Sequence, residues 1–193
     1  MPKENLYGLI LMGGQSSRMG TDKSSLVYHG QPHAEFMFEL VKSILPNTFV
    51  SVRTDQEVLF TDQIIPDNFP TKGPINGILS AMTKHPDKAW LVLAVDLPFV
   101  SEQTIRQLIA ARNSAKKATA FATRESGLPE PLVAIWEPGS QDALREHHLI
   151  EDKRCPRKFL FNSDIELVFP KEDKELFNAN HPEEYEQAKS MMK

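Results

Sequence analysis

The chain has 193 residues, 40% of them hydrophobic, with 22 Lys+Arg against 26 Asp+Glu and a net charge of −4. This length fits a single domain over 1–193 with a real core, and the acidic balance excludes general nucleic-acid binding, so the cations that matter must be local to a site. One cysteine, Cys155, cannot close an internal disulfide, and the short N-terminus with Lys3 and Glu4 has no secretory apolar stretch; both suit a cytoplasmic protein. Cys155 has no neighbouring metal-ligand partners and reads as a structural or solvent-exposed thiol. The first apolar run is far too short to cross a bilayer, so no membrane association is expected.

Tyr7–Met12 is a continuous apolar run closed by Gly13-Gly14, the pattern of a buried parallel strand. Phe36, Leu40, Val41 and Ile44 fall at helical spacing, and Pro46-Asn47 ends that helix. Thr48–Val52 is a second strand and Gln63–Ile65 a short third, cut by Pro66. Gly77–Met82 fits a helix starting near Pro74, and Trp90–Val95 is a strong buried strand. Ser101 reads as an N-cap for a helix whose apolar face is Ile105, Leu108 and Ile109. Ala118–Ala122 and Leu132–Trp136 are further strands, Asp142–His148 a helix, Ile165–Phe169 a late strand and Pro182–Met191 a terminal helix. His147 and His148 are adjacent and cannot share one helical face, so both read as surface residues.

Strands alternate with helices over the first 120 residues, which predicts an α/β, three-layer, doubly wound domain with a mostly parallel sheet. Ligands bind such sheets beyond the carboxyl ends of the strands. Three loops fall there: Gly13–Lys23, Asp67–Gly77 and Asp96–Pro98. In the first, Gly13 and Gly14 let backbone N–H groups approach phosphate oxygens, and Arg18 and Lys23 supply the charge a polyphosphate needs. The segment holds neither G-x-x-x-x-G-K-[ST] nor G-x-G-x-x-G. Asp96, ending an apolar strand, is either a hard oxygen ligand for Mg²⁺ beside a triphosphate or a turn residue before Pro98. Asp67 can accept from the ring N–H and amino group of guanine or from a ribose hydroxyl; otherwise it is a surface turn. Arg154-Cys155-Pro156-Arg157-Lys158 is a basic cluster that either meets an acceptor phosphate or lies solvated at the surface.

Gly13-Gly14-x-x-x-Arg18-Met19-Gly20-x-x-Lys23 resembles the opening signature of the nucleotidyltransferases with the Rossmann-like nucleotide-diphospho-sugar transferase fold, and is most similar to that of the molybdenum cofactor guanylyltransferases, the MobA family. Three further stretches extend the resemblance: Val95-Asp96-Leu97-Pro98-Phe99 beside the family's Cys-Asp-x-Pro-Phe, Gly73-Pro74-Ile75-Asn76-Gly77 beside Gly-Pro-Leu-Ala-Gly, and Asn178-Ala179-Asn180-His181-Pro182-Glu183-Glu184 beside Asn-x-Asn-Thr-Pro-Glu-Asp. Pro131-Leu132-Val133-Ala134 resembles its Pro-Leu-x-Ala stretch.

The resemblance implies transfer of GMP from GTP to the terminal phosphate of a molybdopterin, with Mg²⁺ and release of pyrophosphate. It implies catalytic roles for Arg18, Lys23 and Asp96, with Asp96 also the metal ligand. Nucleotide contacts fall to Leu11, Met12, Gly13, Gly14, Lys23, Ser51, Asp67, Gly73, Gly77 and Asp96, and acceptor contacts to Pro131, Asn178 and Asn180. Ser51 stands where the family often has asparagine, and Met12 where it usually has alanine. A monomer is expected, with molybdoenzyme apoproteins or chaperones as protein partners. The alternatives are a cytidylyltransferase acting on the same pterin or another phosphorylated small molecule, and a non-catalytic nucleotide-binding regulator.

Overall fold

The computed structural model describes residues 5–12, 26–54, 63–70, 73–150 and 154–192. Seven strands form one sheet: β1 (Leu6–Leu11), β2 (Thr48–Val52), β3 (Ile64–Pro66), β4 (Ala89–Ala94), β5 (Ala118–Ala122), β6 (Pro129–Trp136) and β7 (Glu166–Val168), in the order β3-β2-β1-β4-β6-β5-β7. β1 pairs parallel with β2 and β4, β2 with β3, and β5 with β7. Only β6 is reversed, antiparallel to both β4 and β5. The expected α/β sandwich with a mostly parallel sheet is therefore present, with β6 as its one reversed strand.

The sheet is buried on both faces, so its central strands need apolar residues at every position. β1 and β4 meet that demand by sending alternate residues to opposite layers. Leu6, Ile10, Leu91 and Leu93 pack on one face, under α1 (His33–Ile44) and α3 (Glu102–Ala110). Leu9, Leu11, Trp90 and Val92 pack on the other, under α2 (Pro74–Lys84), α4 (Gln141–Arg145) and α5 (Pro156–Phe161). Each such side chain contributes about 1.5–3 kcal/mol by leaving water. The buried face of α1 is Ala34, Met37, Phe38, Val41 and Ile44, spaced at three and four residues as one helical stripe requires. α3 starts where Ser101 predicts: Thr104 N–H donates to Ser101 Oγ at 3.2 Å, and Ser101 N–H to Thr104 Oγ1 at 3.2 Å. The chain closes with α6 (Pro182–Met191).

Four local expectations are corrected. Pro66 does not cut β3 but ends it, in register with Val52; β3 is an edge strand, where a missing N–H removes no ladder bond. β6 begins at Pro129, three residues before the expected Leu132. α5 was not anticipated. It packs on the π-helical segment Glu146–Ile150, where His147 and His148 are buried rather than exposed, at 8% and 1% accessibility. His147 meets the Phe159 ring of α5 edge-on, centroids 5.4 Å apart. Cys155 is free and exposed, as expected.

Candidate active site

The carboxyl ends of β3, β2, β1 and β4 lie side by side, and each delivers one of the residues singled out from the sequence. Asp67 directly follows β3, and its N–H donates to the Val52 carbonyl at 2.9 Å. Ser51 Oγ on β2 donates to Asp67 Oδ1 at 3.1 Å. Met12 N–H, just past β1, donates to the Ser51 carbonyl at 3.0 Å. Burial pushes the Asp67 carboxyl above its ordinary range, with the Ser51 hydroxyl and the Arg53 charge pulling the other way.

α2 closes over this corner. Gly73, its N-cap, has φ +117°, a backbone conformation that costs glycine little, and Pro74 supplies the preset first turn. Gly77 faces Ser51 and Leu11 so closely that a Cβ there would overlap the Ser51 hydroxyl and sit 2.8 Å from Leu11 Cδ2. Two polar side chains on the same helix, Asn76 and Ser80, are buried and bond to the 68–69 backbone. The sequence reading passed over both. Their signal was two polar residues four apart in an otherwise apolar helix.

Asp96 lies one strand further, past the end of β4. Its own carbonyl accepts from Ala179 N–H at 2.8 Å, and Phe99 meets Phe177 edge-on at 5.9 Å between centroids. The 177–180 segment is thereby held against the Asp96 turn. Ala179 is fully buried, while Asn178 and Asn180 on either side of it are half-buried. In an extended segment that alternation turns both asparagines to the face opposite Ala179. Neither side chain caps α6: His181 and Glu184 do, with Glu184 Oε2 accepting from Asn180 N–H at 2.6 Å and His181 N–H at 2.9 Å. Asn178 Nδ2 donates to the Leu176 carbonyl at 3.2 Å.

Across from Asp96 is the start of β6. Glu130, near the start of β6, lies within reach of the Asp96 charge and pairs with Phe121 of β5 beyond an irregularity in the β5–β6 register. Burial pushes the Glu130 carboxyl upward; Arg157 of α5 counters this, and the Asp96 charge adds to it. Arg157 Nη2 donates to Glu130 Oε2 at 2.6 Å and Nε to the Pro129 carbonyl at 3.2 Å. Arg157 thus leaves the basic cluster for the site edge. Pro131 is buried, its carbonyl accepting from Trp136 Nε1 at 3.1 Å.

Beside the same turn is an aromatic cluster that sequence reasoning missed. Tyr28 packs edge-on against His33 at 4.8 Å and Tyr185 at 5.0 Å. Burial, then Tyr185 and Asp96, push the Tyr28 phenol upward. His33 is fully buried, and its imidazole is lowered from 6.5 to about 4, chiefly by burial and secondly by His29, with the Leu97 backbone opposing. A neutral native imidazole means that the unfolded chain binds the extra proton between pH 6.5 and 4, so stability is lost as pH falls through that window. At about 1.36 kcal/mol per pH unit this reaches at most about 3 kcal/mol. Replacing His33 with Phe is expected to flatten Tm against pH between 6.5 and 4, measured by circular dichroism.

The four candidates Gly13, Gly14, Arg18 and Lys23 lie outside the described residues. The described ones form a row. At about 4.8 Å per strand, β3 and β4 stand about 14 Å apart, so Asp67 and Asp96 are separated by roughly the reach from a nucleobase to its phosphates. The Asp96 end offers a hard carboxylate oxygen of the kind a divalent cation takes. Mg²⁺ commonly takes one or two carboxylates together with phosphate oxygens.

A doubly wound sheet in the order 3-2-1-4-6-5-7, with acidic residues at adjoining strand ends, belongs to the Rossmann-like nucleotidyltransferases. The model of the MobA-like NTP transferase domain matches residues 8–166, and the chain belongs to that family. It is a nucleotidyltransferase. A protein of Natranaerobius thermophilus described as a probable molybdenum cofactor guanylyltransferase is 26% identical, over 98% of this chain and 97% of its own. A molybdenum cofactor biosynthesis bifunctional protein of Synechocystis is 33% identical over 94% of this chain; the chain spans about half of that relative, 53%. The crystal structure of molybdopterin-guanine dinucleotide biosynthesis protein A from Archaeoglobus fulgidus superposes with a TM-score of 0.77 at 22% identity, covering 96% of this chain and 97% of that one, and shares the fold. Among the described residues, no helix is long and apolar enough to cross a membrane.

Proposed function

We propose that the chain transfers GMP from GTP to the terminal phosphate of a molybdopterin, with release of pyrophosphate, in the making of a guanine dinucleotide cofactor. The observation that carries this reading is the position of Asp67. An ionised carboxylate only accepts hydrogen bonds, and guanine presents two adjacent donors, N1–H and the 2-amino group. Cytosine places an acceptor nitrogen beside its amino group, which a carboxylate repels. Ser51 holds one carboxylate oxygen of Asp67, and Gly77 lets α2 pack directly against Ser51 at this corner. The names of the relatives support the same base and acceptor.

In this reading the nucleoside lies at the ends of β3, β2 and β1, with Leu11, Met12, Gly13, Gly14, Gly73 and Gly77 providing backbone close to it. The α-phosphate lies near Asp96, and the acceptor between Asp96, Pro131, Asn178 and Asn180. An acceptor phosphate oxygen attacks the α-phosphorus; the bond to the β-phosphate oxygen breaks and pyrophosphate departs. No general base is required, because a phosphate monoester has its second pKa near about 6 and is largely dianionic at neutral pH. Arg18 and Lys23 neutralise the triphosphate and the leaving pyrophosphate. Asp96 would hold Mg²⁺, which when bound supplies charge neutralisation at the phosphate oxygens. The remaining work of the chain is to hold two anions in line. The product would pass, in the cytoplasm, to molybdoenzyme apoproteins or their chaperones.

The test is pyrophosphate release with Mg²⁺ and purified molybdopterin, comparing GTP, CTP, ATP and UTP with no-acceptor controls. Acceptor-dependent release with GTP alone is expected; a preference for CTP overturns the guanine assignment, and no release from protein that binds nucleotide points to another acceptor or to the regulator.

Asp67→Asn should raise KM for GTP by about 10- to 100-fold, since hydrogen bonds to a charged group contribute about 1.5–3 kcal/mol. The same substitution should stabilise the unliganded protein at neutral pH. Burial favours the protonated form of Asp67, so the native state binds that proton more tightly than the unfolded chain, and stability falls as pH rises through the raised native value. Asparagine carries no charge to desolvate. Thermal melts at pH 7.5 should show a higher Tm for the variant, and an unchanged or lower Tm would contradict the burial of this carboxylate.

A further inference from the structure

We propose that Asn76 and Ser80 are positioning residues for nucleobase selection, splinting the turn that carries Asp67. The inference rests on Asp67 meeting the guanine edge, and it assigns a task to two side chains that do not touch the nucleotide.

The geometry is a network of four hydrogen bonds. Asn68 N–H donates to Ser80 Oγ at 2.9 Å, and Phe69 N–H to Asn76 Oδ1 at 3.2 Å. Asn76 Nδ2 donates to the Phe69 carbonyl at 2.7 Å, and Ser80 Oγ donates to Asn76 Oδ1 at 3.2 Å. Asn76 therefore grips both backbone groups of Phe69, as a neighbouring strand would, while Ser80 grips the backbone of Asn68. The orientation of the amide is determined: its oxygen faces two donors and its nitrogen faces a carbonyl. Asn76 is 2% exposed and Ser80 0% exposed.

This arrangement does work that apolar residues at the same positions cannot. β3 is a three-residue edge strand, and the chain leaves it at Asp67. The Asp67 N–H is tied to Val52, but the next two residues are tied to α2 through Asn76 and Ser80. The carboxylate thus projects from a turn fixed at both ends, with Ser51 setting its rotation. Selection between bases depends on aiming such a group to within about half an ångström, and rotamers locked by supporting hydrogen bonds supply that aim. A buried polar pair costs desolvation unless every partner is met, and here the partners are the backbone groups directly after Asp67.

The experiment is equilibrium binding of GTP and of inosine triphosphate, which lacks only the 2-amino group, to the full chain with Mg²⁺. Wild type is expected to favour GTP by about tenfold or more, the loss of one charge-assisted hydrogen bond. Asn76→Ala and Ser80→Ala should each weaken GTP binding and lower the GTP-to-inosine preference by at least about fivefold, with Asp67 intact. Ile78→Val, a buried change on the same helix with no polar contact, is the control and should lower Tm while keeping the preference. If Asn76→Ala does not fold, Ser80→Ala carries the test alone. A folded variant with wild-type preference overturns the positioning role and leaves the guanine reading standing. A wild type that binds both nucleotides equally overturns the guanine contact, and the positioning role with it.

Discussion

Asp96→Asn is expected to lower kcat for pyrophosphate release by about 100- to 1,000-fold, with nucleotide binding reduced far less. The size follows from what a single preorganised electrostatic group contributes where charge develops, about 3–4 kcal/mol at 1.36 kcal/mol per tenfold in rate. The fold should survive. The isosteric change leaves the bond from Ala179 N–H to the Asp96 backbone carbonyl and the fully buried Leu97 beside it in place. A kcat within about threefold of wild type would place the reacting phosphates elsewhere.

What the sequence disclosed and what it withheld divide along local and non-local lines. β1 and β4 are legible because a strand buried on both faces must be apolar throughout, and Leu-Ile-Leu and Leu-Val-Leu satisfy that with no knowledge of their neighbours. The α3 N-cap is legible because Ser101 bonds only three residues away. α5 is six residues long and buries little beyond Pro156, Phe159 and Leu160, too short a stretch to show a period. The burial of His147 against Phe159 depends on α5 and is not legible without it.

The site shows the same division. Asp67, Asp96 and Gly77 stand in motifs that resemble the family's, so their positions could be read directly. Glu130 comes near the Asp96 charge because β6 runs antiparallel to β4, which brings the start of β6 to the carboxyl end of β4, a pairing that no pattern within either strand encodes. Asn76 lies inside a quoted motif, yet its partners are Phe69 and Ser80, and only the folded turn shows that it acts on Asp67.

Gly77→Ala should be the costliest single methyl group that can be added to this corner. The new Cβ would overlap Ser51 Oγ, lie 2.8 Å from Leu11 Cδ2 and lie 3.2 Å from Ser51 Cβ. Leu11 can answer by rotating the end of its side chain. Ser51 cannot answer so easily: its Oγ can turn away only by releasing Asp67, and its Cβ is fixed to β2. Nor can α2 simply lift, because Asn76 and Ser80 tie it to the 67–69 turn. Overpacking of this kind costs about 1–3 kcal/mol, and for a chain of this length about 2–4 °C of Tm accompanies each kcal/mol, so a fall of roughly 6–12 °C is expected at the upper end. GTP binding should weaken in parallel, because the strain is relieved through the Ser51–Asp67 bond. Ser51→Ala in the same background separates the two effects. Removing the hydroxyl takes away the worst overlap, so part of the Tm should return, while the 3.2 Å approach to Cβ keeps the recovery incomplete. GTP affinity should not return, since Asp67 has lost its hydrogen-bond donor in either case. Recovery of both would mean that Ser51 contributes bulk at this corner and does not orient Asp67.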